Sequence, residues 1–208
     1  MRLSRLLVSL LSSALLASAT LAQSVHVVDI AAGPGTDFTS IQDAMNAAQD
    51  GDTLLVRDGV YDGASIQDKG LSIIADAGAT PVIRSYSYGL SGLTFWGIPA
   101  GSSVRLSGLR LDGEPGLHIW HADGPAFVDN CEIEGNCMFG ASDNPAIRVT
   151  ESKVVVSNSV LNGHSSCANR PAGIVVRGGE VHVFDSYIDG AGFGANALEL
   201  IGDSFAYV

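Results

Sequence analysis

The stretch Leu117-His118-Ile119-Trp120-His121-Ala122-Asp123 gathers two imidazoles, an indole and a carboxylate in one short run. Its alternation buries Leu117, Ile119 and His121 and turns His118 and Trp120 outward. An outward indole either stacks on a sugar ring or is covered by packing or a loop. When the chain is aligned by its repeats, Arg148 falls directly after Trp120, about 4.8 Å further along the axis, where a guanidinium can cover the indole. His118, Trp120 and Arg148 are therefore the candidate carbohydrate contacts.

Two other groupings could carry chemistry. Asp112, Glu134, Asn162 and Asp189 each stand just before a turn glycine or its equivalent. Stacked on neighbouring coils, such like charges need a bridging cation, or else the residues serve only as turn formers. The three cysteines are Cys131, Cys137 and Cys167. Cys137 and Cys167 fall in the same turn region of neighbouring coils, and a bridge between them is expected. Cys131 takes a small inward position and reads as a buried, inert thiol. The spacing lacks a paired C-x-x-C, so no structural zinc and no other metal is expected. His164 and His182 are expected to face solvent. No complete catalytic signature and no cofactor motif emerges.

Four decapeptides superpose: VRLSGLRLDG (residues 104–113), AFVDNCEIEG (126–135), VVVSNSVLNG (154–163) and VHVFDSYIDG (181–190). Their final glycines are separated by 135−113=22, 163−135=28 and 190−163=27 residues, a loose period of the kind that stacked structural turns produce. An earlier copy, LLVRDGVYDG, ends at Gly63, and the 50 residues from there to Gly113 would hold two turns. Alternating Val154, Val156 and Val181, Val183 mark short strands with one buried face. The fifth residue is Gly108, Asn130, Asn158 or Asp185, the types that best tolerate a left-handed backbone, so a sharp corner is expected there. Beyond it, Leu111, Ile133, Leu161 and Ile188 point inward again. A further strand precedes each later copy (117–123, 146–152, 173–179), giving three strands per turn and a parallel solenoid.

An uncovered solenoid end exposes core and unpaired backbone. In residues 39–48 the apolar side chains of Ile41, Ala44, Met45 and Ala48 recur at helical spacing, which predicts a short capping helix. Thr39 with Gln42 is expected to form its capping box, and Thr53–Val56 to open the first coil. At the other end, residues 196–208 begin another apolar coil. Either longer relatives continue it, or a second copy covers it and the protein self-associates.

Residues 1–22 combine two arginines, an apolar run laced with serine, and the small residues Thr20 and Ala22, the pattern of a cleaved export signal. Ala19 is an alternative cleavage point. Residues 23–52 then form the N-terminal segment with the capping helix, and 53–208 the coils. The 208-residue chain carries 11 basic and 22 acidic groups, and losing Arg2 and Arg5 changes its formal charge from −11 to −13. Such a surface excludes nucleic acid as a partner and binds a bare polyuronate poorly without a bridging cation. A neutral extracellular polysaccharide meets no such penalty. No membrane span is expected after the signal.

The residues DFTSIQDAMNAAQDGDTLLVRDGVYDG (37–63) resemble the capped start of secreted right-handed parallel β-helix proteins, the pectin-lyase-like superfamily. The resemblance rests on Phe38 and Ile41-Gln42 leading the helix, the Gly51-Asp52-Thr53 corner and the exit at Gly59 to Tyr61. It implies an all-β fold, a right-handed parallel β-helix with an N-terminal cap, and it extends to the repeats beyond residue 104. It does not imply a reaction. The separated-carboxylate elements of polygalacturonase-like hydrolases are missing, and Gly163-His164 is followed by Ser165 rather than glycine. The nearest approach to a pectin methylesterase strand is Val183-Phe184-Asp185-Ser186, whose aspartate already has a corner role. Arg148 and Arg177 could serve a pectate-lyase-like proton abstraction, but no acidic cluster accompanies them. The expected function is a secreted β-helix protein that presents a sheet face to carbohydrate. The rivals are a diverged polysaccharide lyase or esterase and a structural or adhesive surface module.

Overall fold

The computed structural model describes residues 23–85, 87, 90–136, 145–163, 172–190 and 196–208. Residues 1–22, where an export signal is expected, and Cys137, Cys167 and His164 lie outside the described residues. The first strand, β1 (Val25–Val28), precedes the helix α1 (Ile41–Ala47). The chain then winds through β2 (Thr53–Val56), β3 (Val60–Asp62) and β4 (Ala64–Gln67), and again through β5 (Ser72–Ala75), β6 (Val82–Arg84) and β7 (Leu93–Trp96). The next coils are β8 (Val104–Ser107), β9 (Arg110–Gly113), β10 (Leu117–Trp120), followed by β11 (Ala126–Asp129), β12 (Glu132–Gly135), β13 (Ile147–Thr150). Two more comprise β14 (Lys153–Ser157), β15 (Val160–Asn162), β16 (Ala172–Arg177), and β17 (Glu180–Phe184), β18 (Tyr187–Asp189), β19 (Asn196–Ile201), and β20 (Phe205–Tyr207) starts the last.

Every strand pairs in parallel with its counterpart one coil away, in three sheets. Sheet A has eight strands from β1 to β20, sheet B six from β3 to β18, and sheet C six from β4 to β19. The fold is a right-handed parallel β-helix with one short N-terminal helix. Each decapeptide copy supplies one strand to sheet A and one to sheet B, and the strand before it belongs to sheet C. The interval from Gly63 to Gly113 holds two windings, since β6 lies between β3 and β9. Sheet A begins earlier than expected. β1 pairs with β2 ahead of Thr53, so the N-terminal segment is part of the solenoid.

Equivalent side chains pile up in register. Leu54, Ile73, Leu106, Val128, Val156 and Val183 form one inward column of sheet A, all buried. Ile83, Leu111, Ile133 and Leu161 do the same in sheet B, and Leu93, Leu117, Ile147 and Ile174 in sheet C. Dropping each such side chain into the prism removes it from water, a gain of about 1.5–3 kcal/mol apiece. Cover thins at the last coil, where Leu200 is 45% exposed although Val176, its register partner, is 0% exposed.

The corner between sheets A and B has positive φ at Gly108 (72°), Asn130 (50°), Asn158 (48°) and Asp185 (46°). The residue after each bend points inward, and serine is accommodated there by a ladder. Ser159 Oγ donates to Ser157 O and accepts from Cys131 N, and Ser186 Oγ accepts from Ser159 N. The buried Ser159 hydroxyl is thereby satisfied within the protein.

Helix α1 buries Ile41, Ala44 and Met45 over the first coil, and Ala48 follows them inward. Its N-cap is Ser40, whose Oγ accepts from Asp43 N. The expected Thr39–Gln42 box is not formed, because Gln42 is committed to the coil below: it accepts from Ser65 N and donates to Ser65 O. The helix ends on Lys69, whose Nζ donates to the carbonyls of Met45, Asn46 and Ala48 at 3.2, 3.3 and 2.7 Å. A cation at this end also complements the helix dipole.

Candidate functional site

In sheet C the period of two sends Leu93, Phe95, Leu117 and Ile119 inward and Thr94, Trp96, His118 and Trp120 outward. Because β7 and β10 are in register, Trp96 lies directly beneath Trp120. The indoles stack with centroids 5.2 Å apart and planes 16° from parallel, and they stay 45% and 36% exposed. The sequence reading missed Trp96. Its signal was present in Leu93-Thr94-Phe95-Trp96, which repeats the pattern of Leu117-His118-Ile119-Trp120 in the interval between Gly63 and Gly113.

Trp120 does not meet Arg148 as expected. The register places Arg148 beside His118, and Thr150 beside Trp120. The difference lies in the connections to sheet A: from Trp120 to Ala126 is 126−120=6 residues, whereas from Thr150 to Val154, the partner of Ala126, is 154−150=4. Counting back from the corner therefore overshoots by two residues. What flanks Trp120 instead is His118, nearly coplanar in tilt at 5.6 Å and 5°, and His121 at 5.1 Å and 32°.

His121 is not inward either. It sits at a second corner with φ 50°, exposed, and its Nδ1 lies 2.7 Å from Glu151 Oε2. Glu151 holds the equivalent corner one coil later, with φ 47°. His118 is half-buried on the sheet, and its Nε2 has no hydrogen-bond partner among the described residues. Burial, then the charges of Arg148, Arg177 and His121, push its pKa down to about 4. It is therefore neutral at ordinary pH, a flat apolar-faced ring extending the indole surface rather than a cation.

A cleft of about 510 Å³ opens beside the indoles, between sheet C and the end of α1. Gln67, Ser65, Thr94 and Asn46 line it with Trp96 and Trp120. Gln67 is the register partner of Trp96 on the side away from Trp120.

The carboxylate column exists as expected: Asp112, Glu134, Asn162 and Asp189 are mutual register partners on sheet B. Its opposing charge comes from arginine. Arg84 Nε meets Asp112 Oδ2 at 2.9 Å, and Arg110 Nη2 meets Glu134 Oε2 at 3.3 Å. Among the described residues no three His, Cys, Asp or Glu side chains converge as a metal site would require. Cys131 is a buried free thiol, and burial raises its pKa to about 11. His182 contacts Glu180 and stacks on Tyr207 at 4.6 Å, so it is less open to solvent than expected.

Comparison with known proteins returns no match, whether to a family model, a curated sequence or a solved structure. The class is defined by the fold itself, a three-sheet right-handed parallel β-helix closed at its first coil by a helix, consistent with the pectin-lyase-like superfamily. No helix among the described residues is long and apolar enough to cross a membrane.

Proposed function

We propose that this is an exported β-helix protein that holds extracellular carbohydrate against the outer face of sheet C, with Trp96 and Trp120 as the platform. The observation that carries the reading is the exposed indole stack on a regular sheet. Large flat side chains held rigidly by strand pairing lose little entropy on binding, and sugar rings present the apolar C–H faces that indoles cover. His118 widens the surface without adding charge, and Arg148 and Thr150 continue the same outward rows. The export pattern of residues 1–22 is consistent with a ligand outside the cell.

The test is a panel of immobilised polysaccharides, scored for retention of the purified protein and for release of unsaturated or de-esterified products. Retention without product is the expected result. Product formation would assign a lyase or esterase instead, and retention on none would leave a structural module.

A further inference from the structure

The indole stack is finite, and its two ends differ. Trp120 has protein rings on several sides, Trp96 beneath it and His118 and His121 beside it, and its free edge turns toward the cleft. Trp96 has Trp120 on one side, and on the other the next outward position of the sheet is Gln67. There the column of rings stops, and there the cleft of about 510 Å³ begins. That size lies within the roughly 300–1,000 Å³ usual for small-molecule sites.

The rim of the cleft limits what can enter. Ser65 and Thr94 supply hydroxyls, and Gln67 and Asn46 supply amides, all able to donate and accept. Among the described residues that line it, none is acidic and Lys69 is the one cation. Lys69 spends its ammonium protons on the three carbonyls ending α1, so it keeps its charge but has no proton left to donate to a ligand. An anionic ligand would find no free donor on the one cation of the cleft and would approach a chain with a formal charge of −11.

Resting on the carbohydrate reading above, we infer that the cleft is a subsite for a neutral sugar unit, seated as the next rung of the ring stack, against Trp96 and over Gln67. The ligand is then a short neutral saccharide or a chain end. Further units of a chain that ends there lie along the exposed edges of the two indoles on sheet C.

The experiment is calorimetric titration of the full chain with cellotetraose, xylotetraose, mannotetraose and tetragalacturonic acid. At least one neutral saccharide binds, and the acidic one does not. Trp96→Ala and Gln67→Trp each weaken that binding at least about tenfold. The first removes the platform. The second fills the subsite with a protein ring that prolongs the stack, so its melting temperature stays at or above that of the parent. Phe184→Ser, on the exposed face of sheet A, leaves binding unchanged. Binding that survives Gln67→Trp overturns the cleft as the subsite while leaving the sheet face as the contact surface. Preference for tetragalacturonic acid overturns the neutral assignment, and binding of none of the probes in any form, soluble or immobilised, overturns the carbohydrate reading itself.

Discussion

The fold holds His118 neutral. Its pKa is held down to about 4 by burial first and by Arg148, Arg177 and His121 after that, whereas an unfolded histidine titrates near 6.5. Between those two values the unfolded chain binds a proton that the native chain does not, so stability falls as the pH falls from about 6.5 to about 4. The full shift corresponds to roughly 3 kcal/mol, reached at the bottom of that window. Urea unfolding at pH 7 and pH 4.5 should show a smaller loss of stability for His118→Gln than for the parent. An equal loss in both would mean that His118 titrates normally. At this scale the sequence was partly legible. Alternation placed His118 and Trp120 outward correctly, because a strand's period of two needs only local information. It misplaced His121, because the strand ends at Trp120 and the chain turns there with φ 50°, and Arg148, because its place depends on how many residues the connection to sheet A consumes, a length that varies from coil to coil.

The corner is the element that converts a row of strands into a prism. Asn158 adopts φ 48° there, and its Nδ2 donates to Asp129 Oδ1 at 2.8 Å. Together with Ser157 Oγ, this bond holds the Asp129 carboxyl below its usual pKa. Asn158→Val should cost about 1–2 kcal/mol from the left-handed backbone alone, plus the lost hydrogen bond, whereas Asn158→Gly loses only the bond. Thermal denaturation of the two variants checks the order, and a Val variant as stable as the Gly one would contradict the backbone account. This corner was visible in the sequence because glycine, asparagine and aspartate mark it repeatedly. The second corner was harder to see, since beside Asp68, Gly97, Gly178 and Gly202 it holds His121 and Glu151, and glutamate carries no such signal. The cap was legible as a helix from the spacing of Ile41, Ala44, Met45 and Ala48. Its end contacts were not, because Gln42 and Lys69 are recruited by coils that only the stacked structure brings near.

Across the whole molecule, parallel stacking turns a loosely periodic sequence into straight columns, and those columns unite function as well as core. Trp96 and Trp120 end matching tetrapeptides, but Trp96 lies in an interval without a clear copy of the decapeptide. They become neighbours only through the register of β7 with β10. The same stacking joins the Arg84, Asp112, Arg110 and Glu134 charges into pairs, so these two carboxylates of the column meet their counter-charge within the sheet. Nothing in the single sequence states how many residues each winding loses to its loops, and so nothing in it states which outward residues meet.

The two tryptophans of the chain are Trp96 and Trp120. Intrinsic tryptophan fluorescence therefore reports the proposed platform and nothing else. Titrating the protein with a polysaccharide that retains it should shift or quench that emission in a saturable way, with a midpoint matching retention. Emission that stays constant while the protein is fully bound would place the carbohydrate elsewhere and contradict the account.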